Sequence, residues 1–143
     1  MAAAVFVLDQ LTKQWAVATL DDRTIDVVWT LRFNLVRNTG AAFSLLVGLG
    51  PFIAIGVVVV VIVLVRTGRS AATRPMAVAI GLIVGGALGN LADRVFRSGD
   101  GFLGGAVVDF VDLQWWPVFN VADASVVIGS ALLVLSGMRT VER

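Results

Sequence analysis

The chain contains no cysteine and no histidine. The first absence excludes disulfides, thiolate nucleophiles and thiolate metal sites; the second removes the usual general base and the commonest metal ligand. Charge is also scarce: 15% of residues are charged, Lys13 is the one lysine, and the formal net charge is +1. That balance argues against a nucleic-acid partner. Any catalysis must then rest on carboxylates, Ser/Thr hydroxyls, Lys13 or backbone groups, and no cofactor or metal is expected.

What the chain has in abundance is apolar residues. They make up 58% of its 143 positions, and the mean hydropathy is +0.93. This lies far outside the range of soluble domains, so a membrane protein is expected. Ala, Val, Leu and Ile cluster in runs of about 18 to 20, the length a helix needs to cross roughly 30 Å of hydrocarbon. Residues 1–143 read as one membrane-embedded domain with four candidate spans at about 1–20, 50–66, 75–94 and 119–138. The first is the weakest, because it carries Asp9, Gln10, Lys13 and Gln14. No Lys or Arg precedes it, which speaks against a cleaved signal peptide. Pro75 stands at a helix-start position of the third span.

Arg66, Arg69 and Arg74 fill the connection between the second and third spans, and Arg139 and Arg143 follow the fourth. The positive-inside rule puts these segments and both termini in the cytoplasm. The long connections 21–49 and 95–118 then face outward, with Asp21, Asp22, Asp26, Asp100, Asp109 and Asp112. Within the first of them, alternation of apolar and polar residues predicts a small outer strand pair, with Asn38, Thr39 and Gly40 as the turn signal. Trp29, Trp115 and Trp116 suit a membrane–water boundary. Gly81, Gly85 and Gly89 form a smooth stripe for close helix packing.

A charge at the centre of a spanning helix costs about 2.5–3.5 kcal/mol, so each needs a partner or a purpose. Asp9 and Lys13 share a helix face; Asn90, Asp93 and Arg94 share another; Asn120 and Asp123 form a third such set. The first two sets read equally as neutralised packing pairs, Asp93 with Arg94 among them. Asp123 differs, having no cation near it in sequence. It lies about four residues into its span, roughly 6 Å below the outer end. Asp109, in the apolar setting AVVDFVDL, is drawn toward the same level, whereas Asp112 is expected to be solvated. Two carboxylates brought together in a low-dielectric site share one proton, so one serves as base and the other as acid.

Taken in order, LDQLTKQWA, FNLVRNTGAAFS, GGALGNLADR, VVDF and FNVADA resemble the five motif blocks of the bacterial lipoprotein signal peptidases, the type II signal peptidases. The resemblance runs over essentially the whole chain. It implies an all-α membrane protein of four transmembrane helices with a small outer β-cradle, and an aspartic endopeptidase of the bacterial inner membrane. The implied substrate is a prolipoprotein, cut just before a diacylglyceryl-modified cysteine near the outer face. Membrane lipid is the other implied partner, and a monomer is expected. Matched block by block, the catalytic dyad is Asp109 and Asp123, with Asp9, Lys13, Asn38, Gly40, Asn90, Asp93, Arg94 and Asn120 as substrate-binding or supporting residues. Asn120 is expected to donate to Asp123, Asn38 and Asn90 to hold the substrate backbone, and the turn at 38–43 to lie over the substrate. The stretch between Arg94 and Asp109 is longer than the family's usual connection and reads as a surface insertion.

Two other classes remain open on the residues alone. A small proton-coupled transporter or channel subunit would use Asp9, Asp93 and Asp123 as a relay spread through the membrane depth. A non-catalytic scaffold would account for the glycine stripe but not for Asp123.

Overall fold

The computed structural model describes residues 1–39, 50–68, 73–98 and 103–141. Gly40, Arg69, Asp100 and Arg143, together with most of the expected 38–43 turn and of the surface insertion's polar centre, lie outside the described residues. The elements in chain order are α1 (Ala2–Leu20), β1 (Ile25–Val28), β2 (Leu31–Asn38), α2 (Gly50–Gly68), α3 (Arg74–Phe96), β3 (Val107–Asp112) and α4 (Val121–Val141). All four helices fall where the apolar runs predict them. Two of them, Arg74–Phe96 and Val121–Met138, are long and apolar enough to cross a membrane, and Ala54–Arg66 is a shorter apolar helix.

Helix starts follow local chemistry. Thr73 caps α3 by accepting from Met76 N at 3.4 Å, with Pro75 in the first turn, where its missing N–H removes no helical bond. At the head of α4, Asn120 Oδ1 accepts from Asp123 N at 2.9 Å and Asp123 Oδ2 accepts from Asn120 N at 3.1 Å. This reciprocal arrangement is a capping box, so Asp123 satisfies helix-end donors as well as presenting a carboxylate.

α3 is the central helix, touching α4, α1 and α2. The glycine stripe explains its closeness to α1. A Cβ on Gly85 would lie 2.6 Å from Ala2 O and 2.7 Å from Val5 Cβ, and one on Gly89 would lie 2.5 Å from Asp9 Oδ2. Gly86 faces Ala122 of α4 in the same way. Small residues thus let three backbones meet where the polar side chains converge. On the outer surface of the bundle, Ile55, Val59, Val63, Val127, Ile128 and Leu135 stay exposed, as lipid-facing side chains do.

The strand pair expected in the first connection is part of a three-stranded antiparallel sheet ordered β1-β2-β3. The turn between β1 and β2 is at Trp29, which adopts a φ of 55°, and Asn38 ends β2 opposite Val107. One face of β3, through Val108 and Phe110, packs with Ala16 and Leu20 of α1. Trp15 closes that seam edge to face against Phe33 and Phe110, its centroid 5.4 Å from that of Phe33, and Phe33 and Phe110 meet at a tilt. The sheet therefore sits on the C-terminal end of α1. By strand alternation Asp109 turns to the opposite face.

Candidate active site

Chain return brings the two distant acids together. After β3 the backbone loops back, and Phe119 pairs with Val111, donating to Val111 O at 3.1 Å and accepting from Val111 N at 2.8 Å. The next residue, Asn120, is thereby set beside β3 and at the start of α4. Its Nδ2 donates to Asp109 Oδ1 at 2.7 Å, to Asn90 Oδ1 at 3.1 Å and to Val108 O at 3.2 Å. Asn90 Nδ2 donates to Asp123 Oδ1 at 2.7 Å. Two linked amides thus join Asp109 to Asp123, and Asn38 Nδ2 adds a donor to Asp109 Oδ2 at 3.2 Å.

The amide orientations are dictated by cations and backbone donors. Lys13 Nζ donates to Asn90 Oδ1 at 2.8 Å, so Asn90 must present its NH2 to Asp123. Asn120 Oδ1 is occupied by the Asp123 N–H, so its NH2 faces Asp109. Asp109 is 3% exposed and Asn120 is fully buried. Burial, and then the nearby charge of Asp123, push the Asp109 carboxyl up to about 6, against the donors Asn38 and Asn120.

A second layer lies behind the first. Lys13, fully buried, stands 2.9 Å from Asp9 Oδ2 and 2.8 Å from Asp93 Oδ2. Asp93 is also bridged by Arg97 at 2.7 Å and accepts from Val108 N at 3.1 Å. Asp9 accepts from Ala122 N at 2.9 Å. Two acids and two bases balance, and through Val108 and Ala122 the cluster grips the segments that carry Asp109 and Asp123. Gln10 joins by donating to Gly89 O at 3.1 Å.

Several expectations need correction. Asp93 pairs with Lys13 and Arg97, not with Arg94, because successive helix residues point apart while residues four apart align. The Nη1 of Arg94 is buried without an acceptor among the described residues. Asn120 reaches the Asp123 carboxylate through its backbone N–H; its side-chain NH2 goes to Asp109. Asn90 spends both ends of its amide inside the protein. Asp112, expected in solvent, is 4% exposed and bridged by Arg32 at 2.7 Å, its cross-strand partner. Burial raises the Asp112 carboxyl, but the hydrogen bonds from Arg32 and from Gln114 N outweigh it and hold the group below its ordinary value. Trp29, Trp115 and Trp116 are exposed. Arg97 and Gln10 were not singled out from sequence, although Arg97 stands four residues after Asp93.

Comparison with known proteins agrees with the motif resemblance. A family model described as signal peptidase (SPase) II matches residues 1–139. The lipoprotein signal peptidase of Rhodococcus jostii is 46% identical over 139 residues, covering 94% of this chain and 69% of that protein. That of Mycobacterium leprae is 44% identical over 137 residues, covering 94% and 68%. A solved bacterial membrane enzyme superposes with a TM-score of 0.80 at 35% identity, over 96% of this chain and 85% of that one.

Proposed function

Because the chain belongs to the signal peptidase II family, aspartic peptidases that cleave signal peptides from prolipoproteins, we propose that Asp109 and Asp123 are its catalytic dyad. The observation that carries this reading is the pair of linked amides, Asn120 on Asp109 and Asn90 on Asp123, each aimed by a donor behind it. The transporter alternative has no support among the relatives, and Asp9 and Asp93 are already paired by Lys13 and Arg97.

In the mechanism, the ionised member of the pair takes a proton from a water, whose oxygen adds to the scissile carbonyl carbon. The protonated member hydrogen-bonds the carbonyl oxygen and gives it its proton as the tetrahedral centre forms. On collapse the carbon–nitrogen bond breaks, the first acid protonates the leaving nitrogen, and the second recovers its proton. Lys13, Asn90 and Asn120 hold the carboxylates in place, while Asp9 and Asp93 fix the segments around them. Gly40 and Arg94 belong to the substrate side of this reading.

The chain acts as one membrane-embedded domain, a monomer of four spans with both termini cytoplasmic, in the bacterial inner membrane. Arg66, Arg74 and Arg139 favour that orientation, and the exposed Trp29, Trp115 and Trp116 suit the outer boundary. The dyad then lies near the outer face, and the substrate is a prolipoprotein whose cysteine carries a diacylglyceryl group. The test is purified protein in detergent, offered a prolipoprotein with and without that modification. Cleavage before the modified cysteine, with the unmodified precursor intact, is expected; equal cleavage of both would overturn the lipid requirement.

A further inference from the structure

Among the described residues, three cavities meet the two carboxylates, and their linings differ in kind. The first, about 540 Å³, lies between α2, α3 and α4 and touches Asp123, Asn90 and Arg94. The second, about 430 Å³, lies between residues 113–119 and α4, and also touches Asp123. The third, about 270 Å³, touches Asp109 and lies against Asn38, Thr39, Pro117 and Val118.

Apart from Asp123, the second cavity is lined by hydrocarbon and indole: Leu113, Trp115, Trp116, Phe119, Ala124 and Ile128 among them. An extended peptide laid there would leave its N–H and C=O groups without partners, whereas an alkyl chain would lose nothing. The first cavity differs, because Arg94 contributes a guanidinium whose Nη1 has no acceptor among the described residues. The second cavity is also open to the lipid side, where Trp116, Val127 and Ile128 are 59%, 68% and 55% exposed. Its volume falls in the range of roughly 300–1,000 Å³ typical of small-ligand sites.

Residues 113–119 form the wall between the second and third cavities. Trp115, Trp116 and Phe119 line the lipid side, and Pro117 and Val118 line the side of Asp109. A lipid-modified cysteine joins hydrocarbon to a polypeptide bound for water at a single residue, and so needs two such compartments separated by one thin wall. Resting on the reading of a diacylglyceryl-modified substrate, the geometry points to the cavity between residues 113–119 and α4 as the seat of the substrate's acyl chains. The mature polypeptide leaves over Pro117 and Val118, and the indoles of Trp115 and Trp116 stand where the glycerol esters cross from apolar to polar surroundings.

The test compares two peptide substrates that differ only in the cysteine's lipid, one dipalmitoylglyceryl and one dibutyrylglyceryl. In Ala124→Phe, which fills the cavity, KM for the long-chain substrate should rise at least about tenfold more than KM for the short-chain substrate. Trp116→Ala, at a position 59% exposed, should lower the preference for long chains in the same direction. Equal effects on both substrates, or none on either in both variants, would overturn the assignment while leaving the peptidase reading intact. A wild-type protein that cleaves neither substrate would instead refute the substrate reading on which the assignment rests.

Discussion

Asn120 and Asp123 cap one another at the head of α4, side-chain oxygen to backbone N–H in both directions, while the amide nitrogen of Asn120 reaches Asp109 at 2.7 Å. One residue therefore ends a helix and joins two acids. Asn120→Ala should lose the cap, worth about 1 kcal/mol of stability, and one donor to Asp109. Activity should fall by far more than that stability loss explains, as measured by kcat on the folded fraction. Asn120→Ser, which restores the cap but cannot reach Asp109, should recover the cap's share of stability without recovering kcat.

The raised carboxyl of Asp109 has a consequence for stability against pH. A group whose pKa rises from 3.8 to about 6 on folding holds its proton more tightly in the folded state. Its contribution is full below about pH 4 and is lost as pH rises through about 6. Asp109→Asn, which cannot ionise, should therefore be more stable than wild type at pH 7 to 8, by up to about 3 kcal/mol. The difference should vanish by pH 4. Thermal unfolding in detergent across that range measures it, and a gap that widens toward acid would contradict the burial and charge coupling described for Asp109.

Lys13 neutralises Asp9 and Asp93 while holding the Asn90 amide. Removing the ammonium leaves buried carboxylates without their cation, so Lys13→Met should destabilise by about 3–5 kcal/mol. Because the groups are in contact, the double variant Asp9→Asn with Lys13→Met should be less destabilised than the sum of the single variants, by about 0.5–3 kcal/mol. Additive losses in denaturant unfolding would show that the cluster is not one electrostatic unit.

Glycines along the bundle should separate into two groups. Gly85→Ala places a methyl group 2.6 Å from Ala2 O, and should destabilise by about 1–3 kcal/mol by prying α3 from α1. Gly56→Ala meets nothing within 4 Å and should change stability by less than about 1 kcal/mol, in the stabilising direction. Paired unfolding curves of the two variants test the helix contact directly.

The helices were legible because apolar runs of hydrocarbon length leave few alternatives, and Asp123 stood out because nothing near it in sequence neutralises it. The sites of convergence were only partly legible. β3 could not be told from any short apolar run, since its strand character depends on pairing with β2, where Val36 meets Asp109 across a long stretch of chain. The burial of Asp112 likewise depends on Arg32, a cross-strand partner that sequence spacing does not reveal. The partner of Asp93 was readable in principle: helix geometry favours Arg97 over the adjacent Arg94. Which carboxylate the Asn120 amide serves depends on Phe119 pairing with Val111, which only the folded chain displays.

The central claim is that Asp109 and Asp123 work as one acid–base pair, and single-turnover cleavage of a diacylglyceryl-modified prolipoprotein by Asp109→Asn, Asp123→Asn and the double variant tests it most directly. Each single variant should lose about 10³-fold or more in rate with substrate binding retained, and the double variant should be little worse than either. A single variant that cuts at the wild-type rate, or losses that multiply in the double variant, would contradict the claim.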